Sequence, residues 1–266
     1  MGLIHFLILH LSFGALALAV IGVSIVIAIL VALLCHIVLR KVHFGNDTNE
    51  EIRQLFTIGA TLFSIILGFL IVVTWQKYQT VETIVVTEAS VVESLYQQSG
   101  MLPSSAKSDF RIHLAAYTSA VIHDEWSKLG DGQKSQQVDT ELNALWTSAG
   151  ELKAGNDGEI TISTSIAESL KTITEARQSR LYDSQVGLPW FFWMFIFIYA
   201  LIIVVFFNMF KNRALRQRIG INAVLGLSLG IVFLFIMLID YPFAGATGIK
   251  PAAFEQIQYL VKNESL

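Results

Sequence analysis

The hydropathy pattern divides the chain into four long apolar runs separated by polar segments. The runs lie within residues 1–38 and at 55–75, 187–210 and 219–239. About 20 apolar residues in an α-helix cross the hydrocarbon core of a bilayer, so each run predicts one membrane span. The first run is longer than one span needs. We therefore place its span near residues 14–38, with residues 1–12 at the bilayer surface or beyond it.

The second run continues into an amphipathic segment without a helix-breaking residue. No Gly or Pro occurs between Phe69 and Ser99. Beyond the apolar run, apolar side chains recur with a period near 3.6 at Val81, Val85, Ala89, Val92 and Tyr96. The pattern predicts one continuous helix of about 45 residues, roughly 65–70 Å long.

The polar segment between the second and third runs has helical periodicity. Three further helices are predicted at about residues 104–128, 135–151 and 163–186, the first of them capped by Ser104 or Ser105. Turn signals separate them at residues 130–132 and 155–158. The only candidate strand, at 159–163, is short.

The predicted fold class is therefore an all-α integral membrane protein with four transmembrane helices. A helical extramembrane domain is inserted between the second and third spans. The expected divisions are residues 1–77 with the first two spans, 78–187 with the extramembrane domain, and 188–266 with the last two spans and a C-terminal tail.

Composition supports a membrane protein and argues against an enzyme. The chain is 54% hydrophobic, with a mean hydropathy of +0.59. It contains no phosphate-binding glycine loop, no nucleophile elbow and no zinc-protease motif. Its one cysteine, Cys35, makes neither an internal disulfide nor a zinc site. We expect no catalytic residue, no cofactor, no metal and no nucleic-acid partner; the partners expected are the lipid bilayer and inorganic ions.

Charge is distributed unevenly along the chain. The two loops on one side of the membrane hold seven basic residues: Arg40, Lys41, Arg53, Lys211, Arg213, Arg216 and Arg218. Residues 78–187 hold eight Lys or Arg and fifteen Asp or Glu, a formal charge of −7. The positive-inside rule then places both loops in the cytoplasm, and the extramembrane domain and both termini outside a bacterial inner membrane.

One stripe of the second span is a candidate pore lining. Thr61, Ile65, Phe69, Val72 and Gln76 recur every three or four positions. Several copies meeting on this stripe would form apolar rings, and such constrictions gate pores by dewetting. Alternatively, the stripe packs against neighbouring spans of the same chain. In the fourth span, Gly226 and Gly230 either permit close helix packing or reflect the general frequency of glycine in membranes.

Residues 64–78 resemble the second span of the bestrophins, which are pentameric anion channels, and the whole chain resembles the bacterial bestrophin-like family. The family motifs correspond here to Glu88-Ala89, to Arg177-Gln178-Ser179-Arg180, and to Asp240-Tyr241-Pro242-Phe243-Ala244-Gly245. The resemblance implies a homo-oligomer with an apolar neck at Thr61, Ile65 and Phe69. The chain departs from the pattern because Thr61 replaces an aliphatic residue and Ile65 an aromatic one. Bestrophins also keep the large domain in the cytoplasm, opposite to the orientation that the charges predict.

Two polar motifs have predicted structural roles. Glu88 lies about 12 residues after the second span and Arg177 about 12 residues before Pro189, so two antiparallel helices would bring them to one height. We expect Glu88 to form an exposed ion pair with Arg177 or Arg180. Asp240, with Pro242, Phe243 and Gly245, predicts a helix stop and turn in which Asp240 accepts hydrogen bonds from the following loop. The alternative for Asp240 is an ion-binding role.

Three hypotheses for function follow. The first is an oligomeric, anion-conducting channel with its neck on the second span. The second is a cation-conducting pore, because an acidic vestibule attracts cations. The third is a sensor, scaffold or assembly factor with a helical ectodomain.

Overall fold

The computed structural model describes residues 3–39, 46–152, 157–209, 214–245 and 247–264. Within these ranges the chain is helical and contains no strand. Four helices are long and apolar enough to cross a membrane. The predicted fold class, with four spans and a helical domain between the second and third, is confirmed.

The helices follow one another in a simple order. The part before the extramembrane segment contains α1 (Leu3–His10), α2 (Phe13–Leu39) and the long α3 (Asn46–Ser99). The middle contains α4 (Ser104–Ala120), a π-helical turn (Val121–Glu125), α5 (Trp126–Leu129), α6 (Gln136–Gly150) and α7 (Asp157–Gln185). The last part contains α8 (Trp190–Met209), α9 (Leu215–Asp240) and α10 (Ala252–Glu264).

The chain forms two compact units. The membrane unit comprises Met1–Lys77 and Leu188–Asp240, and the head unit comprises Tyr78–Gly187 and Tyr241–Leu266. The residues after Asp240 therefore group with the head, whereas the sequence analysis assigned them to a tail of the membrane part. α10 was not predicted from the sequence.

Close helix approach organises the membrane unit. A methyl group added at Gly226 would lie 2.7 Å from the Cα of Ile25, and one at Gly230 would lie 2.8 Å from the Cα of Ile21. Both glycines thus face α2 at a distance that only a missing side chain allows. Of the two interpretations of these glycines, close packing is the one observed.

Polar and aromatic contacts join the remaining spans. Asn208 on α8 and Asn222 on α9 are buried, and their side-chain amides donate to each other at 2.8 and 2.9 Å. Phe63 on α3 stacks on Tyr199 of α8 with ring centroids 5.1 Å apart. The reciprocal Asn208–Asn222 pair satisfies amide groups that lipid tails cannot hydrogen-bond.

The head unit has its own hydrophobic core. Residues Val81, Val85, Ala89, Val92 and Leu95 supply one wall from α3, as the periodicity predicts. The other elements contribute Phe110, Leu114, Tyr117, Val121, Val138, Leu142, Leu145, Ile166, Leu170, Ile173, Phe254 and Ile257.

Several helix boundaries differ from those predicted. α3 has 54 residues and a length of roughly 80 Å, because it begins before the apolar run. α4 is preceded by Pro103 and has no side-chain cap, so the cap expected at Ser104 or Ser105 is absent. α7 begins at Asp157, so the short candidate strand at 159–163 is helical. Of the predicted turn at 155–158, Asp157 and Gly158 belong to α7 and the rest lies outside the described residues, as do the loop residues Arg40, Lys41, Lys211 and Arg213.

Candidate functional site

The candidate pore face of α3 is exposed in the subunit. Ile65, Phe69 and Val72 are 63%, 71% and 51% exposed, and Thr61 and Gln76 are exposed as well. The opposite face of α3 is buried at Phe63, Leu67, Leu70 and Thr74. The neighbouring spans of the same chain therefore contact the other side of the helix, and the interpretation in which the stripe packs within one subunit is wrong.

A buried ionic cluster in the head unit contains the three charged residues that the sequence analysis selected. The Arg180 guanidinium is fully buried and donates from Nε to Glu88 Oε2 at 2.8 Å and from Nη2 to Glu88 Oε1 at 3.0 Å. Glu88 also accepts a hydrogen bond from the Tyr117 hydroxyl at 2.8 Å. Glu88 and Arg180 are both 0% exposed, so the expectation of an exposed pair is wrong.

Arg177 has different partners from those expected. It donates from Nη2 to Glu125 Oε2 at 2.6 Å and from Nη1 to Asp139 Oδ1 at 2.7 Å. Glu125 joins the two arginines, because its Oε1 accepts from Arg180 Nη2 at 2.8 Å. The cluster therefore consists of two buried arginines that share Glu125, with Asp139 also paired to Arg177 and Glu88 to Arg180.

Glu125 and Asp139 were not among the site residues predicted from the sequence. Glu125 follows Phe110, Leu114, Tyr117 and Val121 in the apolar register of α4, four residues after the last of them. An acidic residue in an apolar register indicates a buried partner, and this signal was available in the sequence. Asp139 has no such signal, because it lies in the polar first turn of α6.

Glu125 is the last residue of the π-helical turn and links that turn to α6. A π-turn inserts one residue into an α-helical register and changes the direction of the side chains that follow. Here it ends at Glu125, whose carboxylate also accepts from the backbone N–H of Ser135 at 3.2 Å. Ser135 in turn caps α6 by accepting from the backbone N–H of Val138.

Electrostatic compensation keeps Glu125 and the two arginines ionised. Burial opposes the charged form of Glu125, but hydrogen bonds from Arg177 and the charge of Arg180 hold the pKa of Glu125 below its ordinary 4.5. Burial opposes the charged form of both arginines as well. Glu125 and Asp139 nevertheless raise the pKa of Arg177, and Glu88 and Glu125 raise the pKa of Arg180. Burial, followed by the nearby Glu88 carboxylate, raises the pKa of the Tyr117 hydroxyl well above its ordinary value. Glu125, Arg177 and Arg180 are thus charged near neutral pH.

Aromatic rings connect the cluster to the C-terminal segment. The Arg180 guanidinium carbon lies 5.2 Å from the centroid of the Trp126 ring and 6.0 Å from that of Phe254. The Trp126 ring also meets Phe243 edge to face at 5.8 Å, and its Nε1 donates to the carbonyl of Ile249 at 3.0 Å.

The motif turn has a different role from the one expected for Asp240. α9 ends at Asp240, but the Asp240 Oδ1 accepts from the backbone N–H of Leu188 at 2.7 Å. Its partner thus precedes α8, and the expectation of a partner in the following loop is wrong. The turn itself uses the carbonyl of Pro242, which accepts from the N–H of Ile249 at 2.7 Å, and Gly245, whose φ of 71° favours glycine.

The described residues offer no arrangement for metal binding. None of their His, Cys, Asp or Glu side chains form a group of three or more with suitable geometry.

Comparison with solved structures identifies the fold. A crystal structure of a bacterial bestrophin homologue from Klebsiella pneumoniae superposes with a TM-score of 0.69, covering 91% of this chain and 97% of that chain at 12% identity. Two single-substitution variants of a Klebsiella pneumoniae bestrophin homologue give TM-scores of 0.70 and 0.71 at 11% and 12% identity. They cover 92% and 93% of this chain and 98% and 97% of theirs.

Comparison by sequence gives the family. No curated protein sequence matches the chain. The family model described as "Bestrophin-like domain" matches residues 21–254, which include most of the first membrane span, the other three spans, the buried ionic cluster and the motif turn. This multi-pass membrane protein therefore belongs to the Bestrophin-like domain family.

Proposed function

We propose that the protein is an oligomeric ion channel in which α3 of each subunit lines a central axis. The observation that carries the proposal is the exposure of Ile65 and Phe69, at 63% and 71%, on the side of α3 that faces away from its own subunit. Rings of these side chains around an axis form an apolar neck that water and ions cross only when it widens. The bestrophin fold supports this arrangement.

Thr61, Val72 and Gln76 complete the proposed pore lining on the same face of α3. Thr61 presents a hydroxyl where the neck begins, and its Oγ1 donates to the carbonyl of Thr57 at 2.8 Å. Gln76 ends the apolar stretch with an amide. The apolar stretch from Ile65 to Val72, which contains the neck, is therefore short, about 11 Å.

The conducted ions are inorganic. By resemblance to the bestrophins we infer anion conduction and a pentamer. A cation-conducting pore is the second candidate, because residues 78–187 have a formal charge of −7 and acidic vestibules concentrate cations. The reversal potential in a KCl gradient distinguishes the two signs.

Replacing Phe69 with alanine tests the neck. The Phe69→Ala protein in planar bilayers should conduct more current than the wild type, because the largest exposed side chain of the ring is removed. Phe235→Ala is the matched control, since Phe235 is a 42% exposed phenylalanine on α9, away from the proposed lining. Single-particle images of the same preparations should show a closed ring with the α3 helices at its centre.

Two results would contradict the proposal. Currents that are equal in the wild-type, Phe69→Ala and Phe235→Ala proteins would remove the neck from Ile65 and Phe69. A monomer or a side-by-side dimer in the images would remove the pore and leave a sensor, scaffold or assembly factor as the better hypothesis.

A further inference from the structure

Beyond Gln76, the exposed side of α3 carries hydroxyl groups. Thr80, Thr83, Thr87 and Ser90, here called the hydroxyl face, are all exposed. Thr83 Oγ1 donates to the carbonyl of Gln79 at 2.9 Å, and Ser90 Oγ donates to the carbonyl of Val86 at 2.8 Å. Both bonds hold the side chains against the helix and leave oxygen lone pairs on its surface.

The hydroxyl face continues the register of the apolar neck. α3 is one uninterrupted helix, so residues separated by multiples of 3.6 share one side of it. Thr87 follows Phe69 by 18 residues, which is about five full turns. Thr83 follows Ile65 by the same interval.

The charged side chains of this part of α3 lie off the hydroxyl face. At 100° per residue, Lys77, Glu82, Glu88 and Glu93 are each about 100° or more from the middle of the face. Glu88 is moreover fully buried and paired with Arg180. α3 therefore presents no charged side chain on the hydroxyl face, although residues 78–187 together have a formal charge of −7.

We propose that the hydroxyl face lines the conduit beyond the neck and carries ions of either sign without discriminating between them. This inference rests on the proposed channel function and deepens it. The face carries no charge: its hydroxyl oxygens present lone pairs to hydrated cations, and a hydroxyl that rotates away from its backbone carbonyl donates to a hydrated anion. Without fixed charge along about 15 Å from Thr80 to Ser90, selectivity is left to the neck formed by Ile65 and Phe69.

Introduced charge at Thr83 tests the proposal in the full-length protein. In planar bilayers with a KCl gradient, Thr83→Glu should shift the permeability ratio towards K⁺ and Thr83→Lys towards Cl⁻, each by several-fold. Thr147→Glu and Thr147→Lys are the matched controls. Thr147 is an exposed threonine on α6 whose Oγ1 also donates to the carbonyl four residues earlier, at 3.0 Å.

Conductance at low salt is a second readout. At about 10 mM KCl the Debye length is about 30 Å, so a fixed charge in a conduit concentrates counter-ions there. As the KCl concentration is lowered, wild-type conductance should fall in proportion to it. The conductance of Thr83→Glu should instead reach a plateau at low KCl, and so should that of a second variant, Thr87→Glu.

The outcomes separate this inference from the proposed function. If the Thr83 and Thr87 variants match the Thr147 controls while Phe69→Ala still raises the current, the hydroxyl face is not in the conduit and the neck stands. If wild-type conductance itself levels off at low salt, fixed charge lines the conduit and the inference is wrong. If Phe69→Ala changes nothing, both are wrong.

Discussion

At the scale of single residues, Glu125 is the carboxylate that both buried arginines of the head unit share. It is 0% exposed and accepts from Arg177, Arg180 and the N–H of Ser135. It thereby joins the π-helical turn to α6 and α7. Removing one member of a buried ionic group leaves the others without compensation, which costs more than the group itself contributes.

We predict that Glu125→Gln lowers the free energy of unfolding by about 3–5 kcal/mol. Two buried guanidinium groups would lose a shared negative charge, while the size of the side chain stays the same. Thermal unfolding in detergent measures the effect, with Glu168→Gln at an exposed position of α7 as the control. Equal midpoints for the two variants would show that the cluster does not stabilise the head.

The same residue gives a pH dependence. Its pKa is depressed in the folded protein, because contacts with Arg177 and Arg180 outweigh the opposing effect of burial. Its contribution to stability is therefore complete above the ordinary pKa of 4.5 and is lost as the pH falls through the lower folded value. The difference in stability between wild type and Glu125→Gln should narrow in that acidic range, and a constant difference would contradict this origin.

At the scale of elements, the contact between α2 and α9 is set by two missing side chains. Helix pairs in lipid gain little from hydrophobic burial, so close backbone approach and van der Waals contact hold them together. Gly226 and Gly230 provide that approach on one side of α9.

We predict that Gly226→Ala destabilises the membrane unit by about 1–3 kcal/mol, because its new methyl group would overlap the α2 backbone at Ile25. Gly220→Ala is the control on the same helix, since no other atom lies within 4 Å of a methyl group there. The melting temperature in detergent should fall for the first variant and not for the second. An unchanged melting temperature for Gly226→Ala would show that the close contact between α2 and α9 does not stabilise the membrane unit.

The elements also show what the sequence could predict. The four spans and the buried face of α3 follow from runs and periods that one helix determines by itself. The π-helical turn and the partners of Arg177 do not, because each depends on residues from several elements brought together by folding. α10 was missed although Phe254, Ile257 and Leu260 recur every three positions, a helical period that is visible in the sequence.

At the scale of the whole molecule, orientation in the membrane is the open choice between charge and resemblance. We predict that alkaline phosphatase fused after residue 266 is active in bacteria, because seven basic residues in the two short loops favour retention of those loops in the cytoplasm. A fluorescent reporter that folds only in the cytoplasm is the complementary control. Fluorescence without phosphatase activity would place the head in the cytoplasm, as in the bestrophins.

The participation of the C-terminal segment in the head core has a consequence for biosynthesis. Phe254 and Ile257 are 0% and 4% exposed, and they cover core residues that the ribosome makes more than 60 residues earlier. Two further spans, α8 and α9, are translated in between. The head therefore completes its core only after α8 and α9 have been synthesised, and a chain that stopped before Phe254 would lack one of the rings that pack beside Trp126.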